Sequence, residues 1–329
     1  MKKIIALAVA GAFAVPVMAA DVTIGGDMEF TYLNGEFMAD DGAIQPVTTT
    51  DTDGDVNIKA SAELANGMSV AADFNLNEVA SGDGGESLTI SGAFGSIDMG
   101  DANSAADSID DVTDWGLALT RGTGSSDAAI SWTLPAFVDG LSVYVSHSPE
   151  GSGDEKVHEK VSGGDANDSV YFSNSGSTAA KIGGNNAGGG TNSDSFAVKY
   201  NFGMGTVGYA KTQDGSSSAN DETLVNLSVS TAGITASYEA REQENGTLKI
   251  AGVTTATSIK ETAVGLTYTT GDITIGYESV DVTATGVTKQ DFTAFGVHYA
   301  MGDIILFAET SEESQEKENM TAIGATFKF

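Results

Sequence analysis

From Ala20 onward the chain reads as repeated segments of about ten residues in which apolar and polar side chains alternate, divided by clusters of Gly, Asn, Asp and Ser. Successive side chains of a strand point to opposite faces, so each segment has one apolar and one polar face. In Val22 to Leu33 the apolar parity holds Ile24, Met28, Phe30 and Tyr32, and the other holds Asp27 and Glu29. Asp55 to Ala65 and Met68 to Val79 flank Asn66-Gly67, a strong two-residue hairpin signal. There Val56, Ile58, Leu64, Val70, Phe74 and Leu76 oppose Lys59, Glu63, Asp73 and Asn75. Further on, Phe196, Val198, Tyr200 and Phe202 oppose Lys199; Ile234 and Tyr238 oppose Glu239 and Arg241; Ile273, Ile275 and Tyr277 oppose Glu278. The last segment, Asn319 to Phe329, sets Thr321, Ile323, Ala325, Phe327 and Phe329 against Met320, Ala322, Gly324, Thr326 and Lys328. The charges keep to one parity throughout.

A half-buried sandwich in water would alternate in the same way, so periodicity alone predicts strands and does not name the solvent of the apolar face. A Lys or Arg facing lipid at mid-depth costs roughly 2 to 4 kcal/mol, so a membrane barrel must also avoid it. Loop lengths separate the two. Joins at Asn66-Gly67, Phe94-Gly95, Gly203-Met204, Ala232-Gly233, Gly271-Asp272 and Met301-Gly302 are tight. Between them fall longer polar joins: Gly35 to Gly54, Gly100 to Ser126, Pro149 to Ser193, Gln243 to Ser258 and Glu312 to Asn319. Short turns alternating with long loops are the asymmetry of outer-membrane barrels, and a closing strand ending in Phe-x-Phe places its rings at an aromatic girdle. The pattern predicts an all-β, transmembrane antiparallel β-barrel of about 16 strands over residues 20–329, with short periplasmic turns and long external loops. The stretch 150–193 is read as a long external loop with one short strand-like piece, Ser169 to Ser173; a linker between two domains is the alternative, but the same patterning resumes at Ser195.

Residues 1–19 have the three regions of a secretory signal: Lys2 and Lys3, the apolar run Ile4 to Val17, and small residues ahead of Ala20-Asp21. No later stretch offers the ~18 continuous apolar residues of a spanning helix, so insertion must be by strands. The mean hydropathy of −0.06 is what alternating lipid-facing and water-facing positions average to. There is no cysteine, which removes disulfides and thiolate sites. With 46 Asp and Glu against 15 Lys and Arg, the formal net charge is −31, which excludes a nucleic-acid-binding surface and favours cations.

The stretch carrying candidate chemistry is Gly95 to Thr123, where a short strand runs into an acidic connection holding Asp98, Asp101, Asp107, Asp110, Asp111 and Asp114. With the signal sequence, the strand and loop rhythm, the Gly-rich strand before a long third loop and the terminal Phe, the chain resembles the general-diffusion porins of Gram-negative outer membranes. The resemblance implies sixteen strands, a homotrimer, and a third loop, here about 101–126, folded into the barrel. It also implies that acids on that loop face a basic cluster on the barrel wall. The loop acids would be Asp101, Asp107, Asp110, Asp111 and Asp114; the wall candidates are Lys59, Lys199 and Arg241, with Arg121 at the loop exit. This chain departs from that pattern in having only two arginines, Arg121 and Arg241. A bore narrowed mainly by carboxylates attracts cations.

Other chemistry finds less support. Asp51-Thr52-Asp53-Gly54-Asp55 resembles the start of a calcium loop, but an EF-hand needs Glu at its twelfth position, where Ala62 stands. Turn chemistry accounts for the same residues, so calcium at the acidic loops stays an alternative and no cofactor is expected. The three histidines, His147, His158 and His298, lie outside any Gly-x-Ser-x-Gly or His-Glu-x-x-His motif, so no enzyme is expected. Parity places His298 in the lumen, with Ala294 and Gly296. The expected function is a passive, cation-preferring channel for small hydrophilic solutes and ions in a Gram-negative outer membrane, with lipid and lipopolysaccharide as surroundings. The alternative is a structural or adhesive barrel whose acidic loops bind a partner. Small residues of the lipid parity, Gly26, Ala60, Ala62 and Ala72, are candidates for barrel-to-barrel packing.

Overall fold

Alternation becomes a closed ring in the computed structural model, which describes residues 21–38, 44–77, 86–110, 113, 115–116, 127–148, 159–160, 170–171, 193–214, 221–250, 253–284, 289–314 and 318–329. The strands are β1 (Asp21–Met38), β2 (Ile44–Glu63), β3 (Ser69–Asn77), β4 (Glu86–Gly92), β5 (Gly95–Asn103), β6 (Asp127–Thr133), β7 (Leu141–Ser148) and β8 (Ser193–Asn201). They continue as β9 (Gly205–Asp214), β10 (Glu222–Thr231), β11 (Ile234–Ile250), β12 (Val253–Thr270), β13 (Ile273–Ala284), β14 (Gln290–Met301), β15 (Ile304–Glu313) and β16 (Glu318–Lys328). Each pairs antiparallel with its sequence neighbours, and β1 pairs with β16, so every strand edge is used. In hydrocarbon this closure is required, because an unpaired N–H or C=O has no water to turn to.

The seam between first and last strands is tight. Gly26 and Phe329 exchange main-chain hydrogen bonds of 3.0 Å in both directions. A Cβ on Gly26 would run into the carbonyl of Asp55 and lie 2.9 Å from the Phe329 ring, so the seam admits no side chain there. Phe327 and Phe329 stack with centroids 6.0 Å apart on the outer face. Near the same, tight-turn end, Tyr200, Phe202, Tyr268 and Tyr299 are exposed on the outward parity and complete an aromatic girdle.

The parity rule of the sequence is the inside–outside rule of the barrel. Ile24, Phe30, Phe74, Phe196, Tyr238 and Ile275 are exposed outward, whereas Glu239 and Glu278 on the opposite parity are fully buried inside. Every tight join expected from the sequence is a hairpin end, and the β6–β7 connection at the same end is longer, residues 134–140.

Two polar loops of the sequence reading are instead hairpin extensions. Gly35 to Gly54 was expected as a loop, yet β1 and β2 stay paired out to Met38 and Ile44. Gln243 to Ser258 likewise pairs from Gln243 with Ile259 to Ile250 with Val253, with one register shift near Gly246. A ladder satisfies backbone groups whatever the side chains are, and Thr- and Val-rich segments favour extended backbone beyond the lipid as well as within it. The acidic stretch Asp51 to Asp55 therefore lies in β2 as extended strand, not as a turn, with Asp53 across from Glu29 and Asp55 across from Asp27. Residues 1–19 and most of 150–193 lie outside the described residues; within the latter, Glu159–Lys160 and Val170–Tyr171 form a two-residue antiparallel ladder separate from the barrel.

Candidate functional site

At Gly100, φ is 100°, a backbone that L side chains rarely adopt, and the β5–β6 register shifts between Met99 and Ala102. Such an irregularity bends the strand, and the chain then enters the barrel. Ser104 opens a single helical turn: its Oγ accepts the Asp107 N–H at 3.0 Å and its carbonyl accepts the Ser108 N–H at 3.0 Å. Ser is favoured at that capping position because it satisfies an otherwise orphan donor. The carbonyl of Ala106 then accepts from Ile109 at 3.0 Å and Asp110 at 3.2 Å.

One face of this turn is apolar, and the wall is shaped to take it. Ala105, Ala106 and Ile109 are buried with Ala197 of β8, Ala210 of β9 and Leu224 of β10, with Tyr144 of β7 packed alongside. Full burial of a side chain the size of Ile109 or Leu224 contributes roughly 1.5 to 3 kcal/mol. The main-chain amides of Ala105 and Ala106 donate to Ser146 Oγ at 2.9 Å and Ser195 Oγ at 3.1 Å. The Asn226 side-chain amide, fully buried on β10, donates to the Ile109 carbonyl.

Farther along, the loop crosses β11 to β14 over a row of small residues. A Cβ on Gly265 would lie 2.9 Å from the Thr113 carbonyl oxygen, one on Gly276 would overlap the indole of Trp115, and one on Gly296 would lie 3.0 Å from that indole. The Trp115 ring stands 5.2 Å from His298, whose Nε2 is 2.7 Å from Glu309 Oε1. The described residues of the inner loop are thus fixed to the arc of wall from β7 to β14.

The structure places the expected site residues as follows. Asp107 and Asp110, in the turn, are half-buried, while Asp101 is exposed near the end of β5. Asp111, Asp114 and Arg121 lie outside the described residues. The bases do not gather. Lys59, on β2, holds Asp73 at 2.8 Å. Lys199 is half-buried on the inner parity of β8. Arg241, on β11, is clasped by Glu222 at 2.6 Å and Glu261 at 3.3 Å.

Sequence reasoning did not single out the seat itself: Ser146, Ser195, Asn226, Gly265, Gly276 and the Glu309 partner of His298. A signal was present in the small inward residues Ala197, Ala210, Gly265, Gly276 and Gly296 along β8, β9 and β12 to β14.

Comparison with known proteins agrees with this architecture. The model of the Gram-negative porin family matches residues 6–232. None of the curated protein sequences compared with the chain matches it. Among solved structures, an anion-selective porin from Comamonas acidovorans aligns with a TM-score of 0.66 at 12% identity, covering 94% of this chain and 100% of its own. Salmonella typhi OmpF in complex with daunomycin aligns with 0.66 at 10% identity, covering 95% and 100%. OmpT of Vibrio cholerae, in a loop-deletion form, aligns with 0.66 at 14% identity, covering 95% and 100%. The family match, with the closed sixteen-stranded ring, makes this a channel-forming barrel of the bacterial outer membrane, and the chain belongs to the Gram-negative porin family.

Proposed function

We propose that this porin is a passive, cation-preferring diffusion channel for small hydrophilic solutes and ions, with no catalytic step. The barrel alone does not decide ion preference, because an anion-selective porin shares it. The observation that carries the reading is the state of Arg241, the one arginine among the described residues: two carboxylates at 2.6 and 3.3 Å compensate its charge, so among the described residues there is no uncompensated guanidinium. Fixed carboxylates along a narrow aqueous path raise the local cation concentration.

Reconstitution into planar bilayers across a KCl gradient tests it. A reversal potential on the K⁺ side is expected, and one on the Cl⁻ side sinks the reading. A plugged adhesive barrel would give no steady conductance at all.

A homotrimer, export by the 1–19 segment, and contact with lipopolysaccharide belong to the same reading. Gly26, Ala60, Ala62 and Ala72 on the outward parity of β1 to β3 support close approach of a neighbouring barrel. The outward ion pairs Lys260–Glu242 at 2.9 Å and Lys289–Asp281 at 2.9 Å, at the end away from the tight turns, suit a headgroup layer rather than hydrocarbon.

A further inference from the structure

The inner wall has two unlike arcs. On β8 to β15 the inward side chains are covered: Ala197, Ala210, Asn226, Glu239 and Glu278 have no exposure and Glu309 has 3%. On β1 to β3 the charged inward side chains are less covered, with Asp53 and Lys59 exposed and Asp27, Glu29, Asp55 and Asp73 half-buried. The described residues of the inner loop are seated on the first arc and leave the second uncovered. Carboxylates of β1 to β3 are therefore open to the lumen, whereas Glu239, Glu278 and Glu309 on the other arc are shut off from it.

This open arc carries like charges face to face. Asp27 stands directly across from Asp55, and Glu29 across from Asp53, on the inward side of the β1–β2 ladder. Like charges in register oppose pairing unless something offsets them. The nearby cations offset only part of this. Lys59 is engaged by Asp73 at 2.8 Å, and Lys328, directly across from Asp27 on β16, is a single lysine beside four carboxylates. Glu29 is held in place by hydrogen bonds that it accepts from the hydroxyls of Thr31 at 2.8 Å and Thr326 at 3.0 Å. What remains to offset the charge is the mobile cation population of the bore.

We infer that Asp27, Glu29, Asp53 and Asp55 on the β1–β2 wall, rather than the acids of the inner loop, set the ion preference of this channel, and that the solutes it favours are small cations, including organic ones bearing an ammonium group. These carboxylates act as fixed charge along the path, with no resident ion. The inference rests on the cation-preferring reading above, and one experiment separates the two.

The test is the K⁺/Cl⁻ permeability ratio of the full-length protein in a KCl gradient. The wild-type sign decides the general reading: a Cl⁻-preferring wild type overturns that reading and this inference together. Given a K⁺-preferring wild type, the quadruple variant D27N/E29Q/D53N/D55N should lower the ratio severalfold, by about threefold or more. The loop variant D107N/D110N should lower it less. An unchanged ratio in the quadruple variant, or a larger loss in D107N/D110N, overturns the wall assignment and leaves the general reading standing. Asn57, on the same inward parity between Asp55 and Lys59, supplies a second probe that keeps all four acids. N57K should depress the ratio in the same direction, and a ratio unmoved by N57K would also overturn the inference.

Discussion

The indole of Trp115 lies flat against Gly276, on a patch of barrel wall where no side chain larger than hydrogen fits. That contact ties the inner loop at Trp115 to β13, some distance from the helical turn seated at β8 to β10. The cross-section of the bore follows from where the loop rests, so the glycine acts on permeation without touching a solute. Gly276→Val is expected to dislodge the ring while leaving the strand ladder intact, since Val suits a strand. In a background where the other tryptophan, Trp132, is replaced by Phe, the emission of Trp115 should shift to the red, and single-channel conductance should change in size or become noisier.

The other anchor is Asn226. Asn226→Leu removes the donor to the Ile109 carbonyl at a fully buried position. A buried acceptor stripped of its partner costs about 1 to 3 kcal/mol. A lower unfolding temperature in detergent is expected, with β-sheet circular dichroism unchanged at room temperature. A shift of the same size from Asn226→Asp would show that the amide donor, rather than the side-chain volume, holds the loop.

Arg241 shares its guanidinium between Glu222 and Glu261, with exposures of 19%, 10% and 17% for the three side chains. Removing the cation from between two partly buried carboxylates is costly, on the order of 3 to 5 kcal/mol at full burial and less here because water still reaches the group. Arg241→Met should therefore destabilise the barrel clearly, and adding Glu222→Gln and Glu261→Gln should restore much of the loss. Thermal unfolding of the single and triple variants measures both.

At the rim, Lys289 sits between Asp291 at 2.5 Å and Asp281 at 2.9 Å. The hydrogen bond to Asp291, joined by the one to Asp281, holds the ammonium above the ordinary lysine range. A raised lysine contributes its stabilisation fully below the unfolded-state value and loses it as pH climbs through the folded-state one. Any difference in unfolding temperature between wild type and Lys289→Met should hence persist at neutral pH. It should fade both in strong alkali, where Lys289 loses its proton, and in acid, where Asp291, held below the ordinary carboxylate range by Lys289, gains one.

Much of the barrel could be read from the chain because two solvents impose period two on every spanning strand. Phe196 and Lys199, or Ile275 and Glu278, declare opposite sides by parity alone, and Asn66-Gly67 or Gly271-Asp272 mark hairpin ends by turn chemistry. The strand ends away from those turns were harder to read. Once a hairpin leaves the lipid, both its faces meet water and the alternation fades, which is why Val47 to Thr52 and Thr247 to Thr257 read as loops although they pair. The inner loop showed its acids but not its seat. Asn226 and Ile109, like Gly276 and Trp115, belong to distant stretches, and only the folded barrel brings each pair together.

The seam between β1 and β16 has a consequence for how the molecule comes into being. Thr326 and Glu29, hydrogen-bonded across it, are 297 residues apart along the chain, and contacts so remote in sequence form late. Until they form, the sheet has two raw borders, and each bare amide or carbonyl there costs several kcal/mol in a medium without water. A half-zipped cylinder is thus no resting place, and assembly in the bilayer should behave as a single cooperative event, committed only when the final strand meets the first.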